Sequence, residues 1–104
     1  MASTNYIRLR GRVSRNSEMR YTPDGKECVT FQIEIEEPKA EMYGNFSSTR
    51  KWSYTAVLIG IEIEFAENEL VDIIGKIYTR SWKKGNDWTQ RTEILVETYE
   101  IIYE

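Results

Sequence analysis

From residue 29 to residue 36 the chain alternates without a break. Val29, Phe31, Ile33 and Ile35 are apolar; Thr30, Gln32, Glu34 and Glu36 are polar. A period of two sends successive side chains to opposite sides of an extended backbone, so Glu27–Glu36 is predicted to be a half-buried strand. The same period governs residues 5–15, where Tyr6, Arg8, Arg10 and Arg12 oppose Ile7, Leu9 and Val13, and Gly11 permits a bend or bulge. It returns in Arg50–Ile59, with Trp52, Tyr54, Ala56 and Leu58 on one side and Ser53, Thr55, Val57 and Ile59 on the other. Two further strands are predicted, Leu70–Trp82 and Trp88–Ile102.

The connections carry their own signals. In Thr22-Pro-Asp-Gly25 the proline fixes φ and the glycine accepts a positive φ, which predicts a tight turn and a hairpin between the first two strands. Lys83–Asp87 is a Gly/Asn/Asp turn joining the last two. Glu37–Thr49, with Pro38, Gly44, Asn45, Ser47 and Ser48, is expected to be a long mobile loop. Gly60–Glu69 is ambiguous: Phe65–Glu69 suits a helical turn, but the segment is too short to specify a helix. Five strands, two hairpins and one central break suit an all-β Greek-key barrel such as an oligonucleotide/oligosaccharide-binding (OB) fold, a single domain over residues 1–104.

The chain has no histidine and one cysteine, Cys28. The commonest general base is absent, and no zinc site of the usual kind can be built in one chain. Cys28 lies among strand residues and reads as a small buried hydrophobe, which implies a reducing, intracellular setting. The glutamates at 34, 36, 62 and 64 alternate with apolar residues, the mark of a solvated strand face rather than a catalytic pair. No catalytic residue, metal or cofactor is expected. No apolar run reaches membrane-spanning length and no signal peptide opens the chain, so the expected location is the cytoplasm: a bacterial nucleoid, or a host cytoplasm for a phage- or plasmid-encoded protein.

Net charge is −3, yet charge is laid out in blocks. Arg8, Arg10, Arg12, Arg15, Arg20 and Lys26 outnumber two acids in residues 1–26. Lys76, Arg80, Lys83, Lys84 and Arg91 outnumber Asp87 in residues 76–92, and Arg50 and Lys51 stand between acidic stretches. Basic blocks that meet in the fold would make one cationic surface on an acidic protein. The strand after Gly75 refines this. Lys76, Tyr78, Arg80 and Trp82 are two residues apart, so two cations and two aromatics share one side, opposite Ile77. Cations neutralise phosphates and flat rings accept unpaired bases, the requirements of a single-strand binding face. The competing reading is an ordinary solvated sheet face, where Lys, Arg and Tyr are also common.

Several segments resemble, in order, the bacterial single-stranded-DNA-binding protein (SSB) family. Asn5-Tyr-Ile-Arg-Leu-Arg-Gly-Arg-Val13 and Ser17-Glu-Met-Arg-Tyr-Thr-Pro-Asp-Gly25 match its amino-terminal strand and turn. Arg50-Lys-Trp-Ser-Tyr-Thr-Ala-Val-Leu-Ile-Gly60 is similar to its third strand. Gly75-Lys-Ile-Tyr-Thr-Arg-Ser-Trp82 and Thr92-Glu-Ile-Leu-Val96 match its last two. The resemblance implies an OB barrel assembled as homodimers or homotetramers, with Trp52 and Trp82 at stacking positions and Tyr78 and Arg80 on the DNA-facing side; alternation adds Tyr54. Phosphate contacts are expected from Arg8, Arg10, Arg12, Arg50, Lys51, Lys76, Arg80, Lys83 and Lys84. In this family the first strand takes part in dimer contacts, so pairing of Arg8, Arg10 or Arg12 with carboxylates of a partner subunit is the alternative for those three. Tyr43 and Phe46 are candidates to close the 37–49 loop over the bound strand, with loop packing as the alternative.

Departures from the family pattern also inform. Leu58 stands where a phenylalanine is usual, which removes one platform. The Gly60–Gly75 stretch is several residues short, so the helix there is expected to be a turn or absent. The chain stops at Glu104 without the family's Gly/Gln/Pro-rich tail and acidic tip, as a shortened or tail-less relative would, and is in this respect similar to primosomal replication protein N. The expected function is sequence-independent binding of single-stranded DNA in replication, recombination or repair, with replication and recombination proteins as further partners. One alternative is an OB interaction module of a primosome or replication-restart complex, which the acidic blocks favour. Another is RNA binding, although the Lys-Gly-Phe-Gly-Phe pattern of cold-shock domains is absent.

Overall fold

The computed structural model describes residues 2–38 and 49–104. The alternating segments form β1 (Ile7–Val13), β3 (Glu27–Pro38), β4 (Thr49–Ile59), β5 (Leu70–Lys84) and β6 (Asp87–Ile102). A short β2 (Glu18–Tyr21) is an additional strand. Its four residues are all exposed, so it has no buried face to leave a period-two signature.

The strands run β1-β5-β6-β4-β3-β2, and β1 also pairs with β3. Five strands therefore close on themselves, and β2 extends from the outside of β3. The one parallel pair, β4 with β6, comes from the Greek-key crossover. This is the OB barrel expected from the sequence. The predicted hairpin between the first two strands is corrected. The Pro23-Asp24 turn joins β2 to β3, with Gly25 at φ 85 and its N–H donating to the Thr22 carbonyl at 2.8 Å. β1 meets β3 only at Arg12↔Glu34 and Val13↔Ile33, and otherwise runs against β5 from Ile7↔Gly75 to Arg12↔Leu70.

Val13, Val29, Phe31, Ile33, Ile35, Ala56, Leu58, Val71, Ile73, Ile94 and Val96 fill the barrel. No helix lies between β4 and β5. Instead Phe65, 1% exposed, plugs that end against Phe31, ring centres 4.4 Å apart, and edge-on against Tyr99 at 5.6 Å. Burying such a side chain contributes about 1.5–3 kcal/mol. The segment is tied down by its backbone: Ser17 N–H donates to the Phe65 carbonyl at 2.8 Å, and Ser17 Oγ accepts from Phe65 N–H at 2.9 Å. Asn5 extends the β1–β5 ladder by one rung, its side-chain amide donating to and accepting from the backbone of Ile77. Among the described residues no helix is long and apolar enough to cross a membrane.

Candidate functional site

β5 and β6 pair from Leu70↔Ile102 to Lys84↔Asp87, longer than the barrel needs. Midway the register slips: Ile74 faces Thr98 but Gly75 faces Val96, so Glu97 is the extra residue of a β-bulge. A bulge bends and twists its strand. Gly75 permits it, because a Cβ there would run into the Leu95 carbonyl oxygen. Past this point Ile77, on the core-facing side by alternation, is 42% exposed, so the two strands have left the core as a ribbon. The ribbon turns at Gly85-Asn86 with Gly85 at φ 64, as a two-residue type II′ hairpin requires.

On the ribbon's outer side lie Lys76, Tyr78, Arg80 and Trp82, faced across the ladder by Glu93 (from Tyr78), Arg91 (from Arg80) and Thr89 (from Trp82). Trp82 is 38% exposed, and the Arg80 guanidinium lies 5.7 Å from its ring centre, within cation–π range. Arg80 Nε is also 2.7 Å from Glu93 Oε1. Arg80 and Arg91 oppose each other directly, an arrangement that costs energy until an anion is shared between them. Lys83 and Lys84 are exposed at the tip. On the ribbon's other side Lys83 pairs with Trp88, which is 71% exposed.

Where the ribbon joins the barrel, the outer sides of β2, β3, β4 and β6 enclose a cavity of about 510 Å³. Val57, Ile59 and Leu95 supply apolar surface, Tyr78 and Glu93 line it, and Arg20, Arg80 and Arg91 supply positive charge. A second cavity of about 410 Å³ adjoins it through Glu18, Thr30 and Arg91 and reaches Arg15, Ser53 and Thr55. Together they make a trough along the barrel wall. Burial, aided by the charge of Glu93 and opposed by Arg80, raises the Tyr78 pKa, so its hydroxyl remains a proton donor.

Other expected residues lie elsewhere. Trp52 and Tyr54 sit on the core-facing side of β4, half-buried against the core, opposite Ile35 and Ile33. Arg50 covers the Trp52 ring at 5.5 Å. Leu58 is fully in the core, and the trough takes Val57 and Ile59 from the other side of the strand. Lys51 is 3.9 Å from Glu34 and 4.0 Å from Glu36. Arg8 and Arg10 converge on Asp72: Arg8 donates from Nε and Nη2 to its two oxygens, and Arg10 donates from Nε, all at 3.1 Å. Asp72 is 7% exposed beneath them, and Arg8, then Arg10, hold its pKa below the usual carboxylate value against the opposing effect of burial. Arg12 donates to the Asn68 carbonyl at 3.0 Å and pairs with Glu104. These three arginines thus find carboxylates within their own chain. Tyr43 and Phe46 lie outside the described residues.

The trough also uses residues that the sequence reading passed over. Arg91 and Arg20 were visible only as members of basic blocks. Glu93 was hidden in an apolar strand, and Trp88 stood at the ribbon tip without a partner to assign its face. Arg91 and Trp88 become legible once the hairpin register is drawn, which sets them opposite Arg80 and Lys83.

A family model described as "Single-strand binding protein family" matches residues 4–102. The chain is 28% identical over 105 residues to "Single-stranded DNA-binding protein 1" of Streptococcus agalactiae serotype III, covering 94% of this chain and 62% of that one. It is 27% identical over 104 residues to "Single-stranded DNA-binding protein 3" of Listeria innocua, covering 94% and 63%. It therefore spans less than two thirds of these relatives. Among solved structures it resembles a Plasmodium falciparum SSB complex with ssDNA, with TM-score 0.80, 20% identity and coverage of 98% and 96%. It also resembles the wild-type single-stranded DNA binding protein from Thermus aquaticus, with TM-score 0.80, 18% identity and coverage of 96% and 50%.

Proposed function

The chain belongs to the single-strand binding protein family, and on that premise we propose that it binds single-stranded DNA without regard to sequence, in replication, recombination or repair. The observation that carries this reading is the outer side of the β5–β6 ribbon, where Tyr78, Arg80 and Trp82 stand in a row with Arg91 opposite Arg80. Phosphates meet Arg80, Arg91, Lys76, Lys83 and Lys84, each releasing condensed counterions. Bases stack on Trp82, with Tyr78 and Trp88 as further platforms. The trough leads the strand from the ribbon onto the barrel wall. Trp52, Tyr54 and Arg50 act at the barrel rim, and Arg8, Arg10 and Arg12 serve the ion network of β1 rather than the DNA.

The protein acts by binding and not by catalysis. We read residues 1–104 as one OB domain acting in the cytoplasm or nucleoid. Assembly into a homodimer or homotetramer goes with the family likeness. The test is tryptophan fluorescence during titration with dT oligonucleotides at low and moderate salt, with a duplex control. Quenching by single strands alone, weakened by salt, is the expected result. No quenching at micromolar protein would move the protein-bridging role to first place.

A further inference from the structure

We propose that the cavity at the base of the ribbon is a nucleobase pocket in which Glu93 reads the donor edge of a guanine, so that one position of the bound strand carries a preference the others lack. The proposal rests on the single-strand binding reading and adds a specificity to it.

The carboxylate of Glu93 is the anomaly that calls for a ligand. Its residue is 4% exposed, whereas Glu18, the other carboxylate lining the cavity, is exposed to solvent. Oε1 makes no hydrogen bond: Arg80 Nε is 2.7 Å away but off the line of one. A buried carboxylate short of hydrogen bonds is costly. On a surface that receives phosphates it also repels the ligand. Both penalties are removed if the ligand brings hydrogen-bond donors to it.

Nucleobases differ in the donors they offer. Guanine presents N1–H and N2–H side by side, a match for the two oxygens of a carboxylate. Cytosine and adenine each present one amine beside a ring acceptor, and thymine presents one N–H between two carbonyls that a carboxylate repels. Val57, Ile59 and Leu95 give a base an apolar seat, and about 510 Å³ is ample for one with its sugar. Arg80 is the movable part. Its side chain is 56% exposed, and a phosphate shared with Arg91 draws it off Glu93 as the guanine edge arrives. Neither the buried Glu93 nor the exposed Arg80 is then left without a partner.

The test is competition, read by anisotropy, against a labelled dT oligonucleotide of about 16 nucleotides, the upper length covered by one OB fold. The competitors are the same sequence unlabelled, the same with one central dG, and the same with one central deoxyinosine, which lacks the N2 amine. The dG competitor is expected to bind at least about fivefold tighter than all-dT, the low end for a bidentate base contact, with deoxyinosine between. Glu93→Gln should lose the dG preference and bind all three alike, with an affinity for dT at or above that of the wild type, since Arg80 is released to phosphate. Equal binding of the three by the wild-type protein would remove the pocket and leave single-strand binding standing. A dG preference that persists in Glu93→Gln, with all affinities lowered alike, would make Glu93 a positioning residue for Arg80 and overturn the proposal. Binding to none of the three would overturn the single-strand reading and this pocket with it.

Discussion

Two clusters of cations occupy opposite ends of β5, and their partners differ. Near its start, Arg8 and Arg10 share Asp72, and Arg12 reaches Asn68 and Glu104. Beyond Gly75, and among the described residues, Lys76, Lys83, Lys84 and Arg91 pair with no carboxylate, and Arg80 alone pairs, with Glu93. Arg80 and Asp72 are eight residues apart, about 26 Å of extended strand. An arginine already bonded to a carboxylate must surrender that contact before a phosphate gains it, so a count of basic residues overstates the phosphate contacts. The ribbon has cations, exposed rings and no internal competitor for most of them. The β1 face has cations that are already spent on the fold.

The sharpest way to break this contrast is to remove one residue from each end. Trp82→Ala should weaken binding to dT oligonucleotides by about 1–3 kcal/mol, roughly five- to 150-fold. Arg10→Ala should change it less than about twofold, the size of an ordinary surface substitution. Equal losses in a side-by-side fluorescence titration would mean that both ends bind DNA and that the contrast is wrong.

Next in size is the hinge between the ends. Gly75→Ala forces a Cβ against the Leu95 carbonyl. Overpacking of this kind costs about 1–3 kcal/mol. In a domain of this size each kcal/mol lowers the melting temperature by about 4–8 °C. A variant melting with the wild type would show that the bulge opens without strain.

These two ends also show what a sequence discloses. Period-two alternation gave five strands because each has one buried face, and it failed for β2, which has none. The sides of β5 were legible beyond Gly75, where Lys76, Tyr78, Arg80 and Trp82 share one side and Ile77 lies on the other. Those of β4 were not: Ala56 and Leu58 are apolar on one side and Val57 and Ile59 on the other, so alternation cannot say which pair enters the barrel. Trp52 and Tyr54 follow Ala56 and Leu58 inward. The capture of Arg8 by Asp72 joins residues 64 apart in sequence and depends on a register no local pattern encodes. Basic blocks therefore pointed to a class of partner, while register decided which cations are left without a carboxylate.

A smaller effect sharpens the contrast through salt. Lys83→Ala with Lys84→Ala should flatten the slope of log affinity against log salt by about 1.4, two contacts at about 0.7 each. The pair Arg8→Ala and Arg10→Ala should leave the slope unchanged. A slope flattened by the β1 pair instead would put the phosphate path across β1.

The smallest effect concerns acid. The Asp72 pKa lies below the usual carboxylate value when the protein is folded, chiefly because Arg8 hydrogen-bonds to it. The unfolded chain then takes up that proton at a higher pH than the native one. The stabilisation is complete above about pH 4, the ordinary range of an aspartate, and is lost as pH falls through the lowered folded value. Asp72→Asn should therefore unfold at lower urea than the wild type at neutral pH, with the gap closing as pH falls below the ordinary aspartate range. The same variant releases Arg8 and Arg10 from their shared partner. If the β1 face lies off the DNA path, the salt slope for dT binding stays where it was, although two guanidiniums have become available. A steeper slope would show that only Asp72 had kept those arginines from the phosphates, and the two ends of β5 would then differ in occupancy and not in position.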